Sequence, residues 1–438
     1  PVPVLTKKSL WINRKLVACL CLTFLATGHW VYGSAIAAIT IDSPNSAEVA
    51  EASKGTAKAT GGSDLFESLK FDSLLVNALY KKDPNANFTV SPVNLRVSLA
   101  LLGTGAQGET RKELESVLGA ESADGFKSIG TAYQEIADSK GADNNHLSAS
   151  VGLFVEQSAG LQKAFISDAT NNFGAKVETL DFKRDSAKSF INSWFENMTE
   201  GKVSQLIEKL PRDTQFVIGS ALNFKANWAR PFDKSATKLK TFNGTKGAQQ
   251  VEMMATRGKF EFLETSQLQI AILPFQGSTY AMVFCMPKEG RSLSDSLSLM
   301  IDIPADNATD GCLTGGTPIE SGDLKVELPK FDLNSKSDMK PMLSNLGLKT
   351  ALSNKADYSG ALAKPVVIDQ IAHQVNFKVD EVGAEVAAAT AVVASSRSAD
   401  VAKPKTMSFD RPFLAILVKT NNLMPVAKPV AYGLVNHF

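Results

Sequence analysis

Histidine is scarce in this chain, with four in 438 residues, at positions 29, 146, 373 and 437. That scarcity removes imidazole-rich metal sites. Neither His373, in a strand-like run, nor His437, next to last, has a sequence neighbourhood that would set it beside an acid and a nucleophile, as a hydrolytic triad requires. No G-x-S-x-G elbow, H-E-x-x-H helix, P-loop or cysteine pair at zinc spacing occurs, so neither an enzyme nor a cofactor is expected. Charge of one sign is also lacking: 46 Lys and Arg oppose 45 Asp and Glu, a net +1. Nothing there suggests a nucleic-acid footprint. Of four cysteines, Cys19 and Cys21 fall in an apolar leader, leaving Cys285 and Cys312 as either one bridge or two free thiols. That is no disulfide framework.

What is present begins with the leader. Lys7, Lys8, Arg14 and Lys15 precede the apolar Leu16–Ala26, and small residues follow in Gly33–Ala38. A basic head, a short apolar core and a small-residue region describe a secretory signal peptide, here residues 1–38. The apolar core is shorter than the roughly 20 residues of a membrane span, so no membrane association is expected after cleavage. Residues 39–63 are small, polar and aperiodic and are expected to be a disordered tail. Four sequons fit a secreted, extracellular glycoprotein, at Asn87, Asn197, Asn243 and Asn307. Asn87 opens the apolar NFTVSP, where a glycan would be buried, which leaves Asn197, Asn243 and Asn307 as the acceptors.

Order is expected over 64–438. Apolar spacing near 3.6 residues predicts helices over DLFESLKFDSLLVNALY, PVNLRVSLALLGTGA, ETRKELESVLG and DSAKSFINSWFENMTEG, the last closed by Gly201. Strand-like runs are TQFVIGSALNF, LQIAILPF, TYAMVFCMP, LKVELPKFDL, VNFKVDE and FLAILVKT. Helices dominate the first half and strands the second, without even alternation or internal repeat. That pattern predicts one mixed α+β domain with a large, mostly antiparallel sheet system.

From about Asp64 to Phe438 the chain resembles a serpin. The resemblance rests on blocks in order: NFTVSPVNLRVSLALLGTGAQGET; FINSWFENMTEGKVSQLI followed by TQFVIGSALNFKANWARPF; then VEMMATRGKF, LPKF, LGLKTAL, ADYSG and FDRPFLAILV. It implies the serpin fold, in which helices pack around three β-sheets and a reactive-centre loop is exposed near the C-terminus. That loop would be 381–403. Its hinge would comprise Glu381, Gly383, Ala384, Glu385, Val386, Ala387, Ala388, Ala389 and Thr390. Counting the family's seventeen residues from Glu381 reaches the bond Arg397–Ser398. Ala384 and Val386 depart from the family's commoner Thr or Ser and Ala, and Ala226 replaces a common Gly. The resemblance also implies a polar cluster where the central sheet opens, at Ser91, Asn94, Ser220 and His373. There Asn94 and Ser220 read as an exchange of the amide across the site. Trp228 would be core packing at the top of that sheet.

Chemistry reaches the same bond without the count. Arg397 is the one basic residue between Glu381 and Ala402, and Lys403 is followed by Pro404. A trypsin-like pocket with an Asp at its base takes Arg through a buried charge-assisted pair. Read with a period of two, one face of the segment is Ala384, Val386, Ala388, Thr390, Val392 and Ala394, all small or β-branched and uncharged. The other face carries the single charge, Glu385, and no proline intervenes. Such a segment can enter a sheet as a middle strand.

The implied function is a secreted suicide inhibitor of trypsin-like serine proteases, monomeric and not an enzyme. Cleavage would trap a covalent acyl-enzyme while the loop inserts as a strand about 50–55 Å long at roughly 3.3 Å per residue. The alternative is a non-inhibitory serpin acting as ligand carrier or chaperone. Heparin acceleration is not expected, because ADGFKSIGTAYQEIADSK carries no basic stripe.

Overall fold

A computed structural model describes residues 60–137, 146–301, 311–313, 319–384, 404–420 and 427–438. In chain order the elements are α1 (Thr60–Lys82), β1 (Phe88–Val90), α2 (Pro92–Gly105), α3 (Gly108–Leu118), α4 (Gly125–Ala137), β2 (His146–Glu156), α5 (Lys163–Phe173), β3 (Lys176–Leu180) and α6 (Asp185–Met198). Then follow β4 (Phe216–Asn227), β5 (Lys238–Gly244), β6 (Gly247–Glu264), β7 (Leu268–Pro274), β8 (Tyr280–Pro287), α7 (Leu293–Ile301), β9 (Glu320–Pro329), β10 (Phe331–Asp338) and α8 (Lys340–Asn345). The chain closes with β11 (Ile368–Val379), β12 (Gly383–Ala384), β13 (Lys405–Ser408), β14 (Phe413–Thr420) and β15 (Ala427–Val435).

Helices lead and strands follow, as expected. The central sheet has the order β10-β11-β12-β4-β2-β3. A second, nine-stranded network holds two blades joined through the 18-residue β6. One end of β6 pairs β7, in the blade β1-β15-β14-β8-β7, and the rest pairs β5 and β9, with β13 beyond. Together with the central sheet these blades make the three sheets of the expected architecture.

Local chemistry accounts for the elements that carry the site. Helix α2 opens with Ser91, whose Oγ accepts the Asn94 N–H at 3.4 Å, and Pro92 occupies its first turn. All but Val93 and Thr104 of its residues are buried. A helix buried all round runs through the core, and its polar Asn94, Arg96 and Ser98 are each hydrogen-bonded there. Helix α6 instead buries one stripe, Ala187, Ile191 and Phe195, against Phe154, Val217 and Ala221 of the central sheet. It ends where Glu200 and Gly201 take positive φ and Gly201 N–H returns to the Glu196 carbonyl.

Two boundaries differ from expectation. Helix α1 starts at Thr60, ahead of Asp64, so Asp64 lies inside it. The run LKVELPKFDL is two strands, β9 and β10, in different sheets. Pro329 has no N–H to continue a ladder, and the chain crosses between sheets at Lys330. Cys285 on β8 is bonded to Cys312, which answers the open question of those thiols.

Candidate functional site

The central sheet carries its site along one seam. Strands β4 and β11 are parallel, and their register sets His373 opposite Ser220 and Asn376 opposite Asn223. Above Asn376 the strands part, and β12 lies between them. Ala384 faces Ala226 on β4 and Val379 on β11, antiparallel to both. Gly383 and Ala384, the third and fourth residues of the loop, thus already occupy the place of an intervening strand.

Four polar side chains meet within the seam. His373 is buried, and its Nε2 accepts the Ser91 N–H at 3.0 Å. Its Nδ1 therefore carries the ring proton and donates to Ser220 Oγ at 2.7 Å. Ser91 Oγ donates to the Val430 carbonyl at 2.8 Å. Asn94 Nδ2 donates to the Ala221 carbonyl of β4 at 3.0 Å. Burial drives the His373 pKa down to about 3, so the imidazole is neutral. The cluster ties α2 and β15 to both strands of the seam. Asn94 supplies the amide, bonded to β4 backbone, and Ser220 supplies the hydroxyl.

The base of the loop is clamped as well. Asp380 Oδ1 accepts the N–H groups of Val382 at 2.8 Å and Gly383 at 3.2 Å, while Asp380 N–H donates to the Gly383 carbonyl. Trp228 stacks on Phe275 at 4.5 Å and donates its indole N–H to the Asp380 carbonyl at 2.9 Å. Its own backbone N–H reaches the Val382 carbonyl. Trp228 is therefore both core packing and an anchor of the loop base. The Glu381 carboxylate is buried, pairs with Lys330 Nζ at 2.8 Å and accepts from Thr237 Oγ1 at 2.8 Å. Burial alone would raise its pKa, but these partners hold it below the ordinary value. A Cβ at Gly383 would sit 1.9 Å from the Ala226 carbonyl oxygen, so no larger residue fits that turn.

Sequence reasoning missed Asp380, Thr237 and Lys330. Asp380 had a signal, the Asp-x-x-Gly turn pattern. Thr237, just before β5, and Lys330, between β9 and β10, lie far from Glu381 along the chain and had none. Outside the described residues lie 1–59, Asn307 and 385–403, hence Glu385, Val386, Ala387, Ala388, Ala389, Thr390 and the bond Arg397–Ser398. Asn197 and Asn243 are exposed. The Asn87 amide instead donates to the His437 carbonyl and accepts from the N–H groups of Asn436 and His437, so a glycan there would break three hydrogen bonds. Among the described residues no acid and His cluster suits a metal ion, and no helix is long and apolar enough to cross a membrane.

Residues 67–427 match the sequence family described as Serpin (serine protease inhibitor). Serpin-ZXA of Oryza sativa subsp. japonica is 30% identical over 355 residues, covering 76% of this chain and 86% of the relative. Alpha-1-antitrypsin 1-4 of Mus musculus is 26% identical over 361 residues, covering 80% and 84%. Among solved structures, Serpin48, a highly specific serpin of the insect Tenebrio molitor, superposes with a TM-score of 0.73 at 25% identity, covering 88% of this chain and all of that one. Human thyroxine-binding globulin complexed with thyroxine superposes with a TM-score of 0.70 at 23% identity, covering 85% and 98%. At that identity the likeness is one of fold.

Proposed function

The chain belongs to the serpin family, and from that membership we propose that it is a secreted suicide inhibitor of trypsin-like serine proteases, cleaved at Arg397–Ser398. One observation carries the reading: β12 enters the seam antiparallel to both β4 and β11. Strands β4 and β11 are parallel to each other, and a parallel ladder is slightly weaker per residue than an antiparallel one. A loop strand completing the insertion replaces that one parallel ladder with two antiparallel ones. The uncut fold therefore lies above a more stable state that cleavage releases.

The register supports the loop's composition. Each step forward along the loop from Ala384 is a step back along both neighbours. The two ladders, read separately, agree with the existing pairing of His373 and Ser220. Thr390, the one polar residue on the inward face, would arrive between Ser220 and His373. Glu385, the one charge on the outward face, would arrive between Lys225 and Lys378, neither of which has an ion-pair partner among the described residues. Val386 would meet Phe224 and Phe377 in the core.

In the reaction, the protease serine attacks the Arg397 carbonyl, the bond to Ser398 breaks, and the acyl-enzyme is carried along as the strand forms. Trapping succeeds when insertion outruns hydrolysis of the ester. The basic leader, the Cys285–Cys312 bond and exposed Asn197 and Asn243 support secretion and glycosylation. The small-residue hinge argues against a carrier or chaperone role, which needs no insertion. Helix α4 holds one basic residue, Lys127, so polyanion acceleration is not part of the proposal. The test of the bond is Arg397→Leu: it should abolish adduct formation with trypsin and create it with chymotrypsin. An unchanged trypsin adduct would move the bond elsewhere.

A further inference from the structure

The strands that have to part are also fastened at their lower ends. Pairing along the seam is regular from Gln370 opposite Val217 upward, but Ile368 already faces Phe216, which leaves Asp369 as an extra residue. Such bulges are rare in parallel ladders, and they re-aim a side chain. Here Asp369 Oδ2 accepts the N–H groups of Gln215 at 2.7 Å and Phe216 at 3.1 Å. Gln215 Oε1 in return accepts the Val367 N–H at 2.9 Å. Three hydrogen bonds thus cross the foot of the seam in addition to its ladder. Gln215 and Val366 also line a cavity of about 300 Å³, which gives water access to groups released there.

We propose that Asp369 and Gln215 form a clasp whose release is the last step of strand insertion, so that Asp369 sets how often cleavage ends in trapping rather than in free product. The proposal rests on the inhibitory reading above. By the register of β12, loop residue 393 reaches Val217 and Gln370, the final regular pair above the bulge. Carrying Arg397 to the foot requires the strand to pass the clasp. While it holds, the ester stays exposed to hydrolysis. The same clasp restrains the uncut chain from inserting its own loop.

Synthetic peptides test the clasp without any protease. A peptide with the sequence of residues 384–396 spans the clasp, whereas one of residues 384–391 ends at the level of Gly219 and Ala372, above it. Uptake is followed as the rate at which the protein becomes heat-resistant. Asp369→Ala, which removes two hydrogen bonds, should speed uptake of the long peptide about tenfold and leave the short one within about twofold. Gln215→Ala, which removes one, should give about threefold with the long peptide alone. Equal acceleration of both peptides would show general loosening and overturn the proposal, as would no change with either. With trypsin, Asp369→Ala should lower the number of inhibitor molecules consumed per enzyme trapped. If the unaltered protein forms no adduct, the inhibitory reading fails, and the two peptides still judge the clasp.

Discussion

Replacing His373 by Gln isolates the proton chemistry of the seam. His373 is neutral in the fold, with its pKa pressed by burial to about 3, against an ordinary value of 6.5. As pH falls below 6.5 the unfolded chain takes up a proton that the folded chain refuses, so stability is full above 6.5 and is lost toward 3. At pH 5 the unfolded form is favoured by one and a half pH units, about 2 kcal/mol at 1.36 kcal/mol per unit. Buried Asp72 works in the opposite sense. Burial lifts its pKa from 3.8 to about 7 although Tyr432 and Arg96 favour its charge, so acidification strengthens that site. The unaltered protein alone therefore conceals the effect, and the difference between it and His373→Gln cancels the Asp72 contribution. Gln can still accept the Ser91 N–H but does not titrate. Urea midpoints and slopes at pH 8 and pH 5 should show the unaltered protein losing about 2 kcal/mol more than the variant. Equal losses would refute a neutral, desolvated His373.

Other substitutions read other parts of the site. Gly383→Ala sets a methyl 1.9 Å from the Ala226 carbonyl oxygen and should expel the loop base from the seam. The ratio of adduct to cleaved product on a denaturing gel should then fall several-fold, and an unchanged ratio would show that β12 has no part in insertion. Trp228→Phe keeps an aromatic ring against Phe275 but loses the bond to the Asp380 carbonyl. It should cost about 1 kcal/mol in urea, and no cost would mean that water replaces the indole. Cys312→Ser opens a link spanning 27 residues. The chain-entropy estimate is about 3.5 kcal/mol, so a urea midpoint unaffected by the substitution or by reductant would argue against the bond.

The elements were legible where periodicity and end signals coincided. Helix α2 could be placed from Pro92 and the helical spacing of its apolar residues, and α6 from its stripe and Gly201. Strands β7, β8 and β14 announced themselves as apolar runs. Strand β2 was legible too but went unread: Leu147, Ala149, Val151, Leu153 and Val155 recur at every second residue, and β3 and β4 flank the strand they form. The polar cluster was reached through family resemblance, since nothing in four residues spread from Ser91 to His373 marks them as neighbours. What the sequence withheld was the tautomer of His373, the second role of Trp228, and the clasp at Asp369. Each depends on which backbone group happens to face the side chain, and that is decided by strand register rather than by residue type.

Mixing the mature protein with trypsin, running a denaturing gel and weighing the released C-terminal peptide shows whether the loop traps or merely cleaves. A suicide inhibitor gives an adduct that survives denaturation and a peptide that begins at Ser398. Cleavage at Arg397 without an adduct would contradict that role, because the chain would then be a substrate that fails to insert in time.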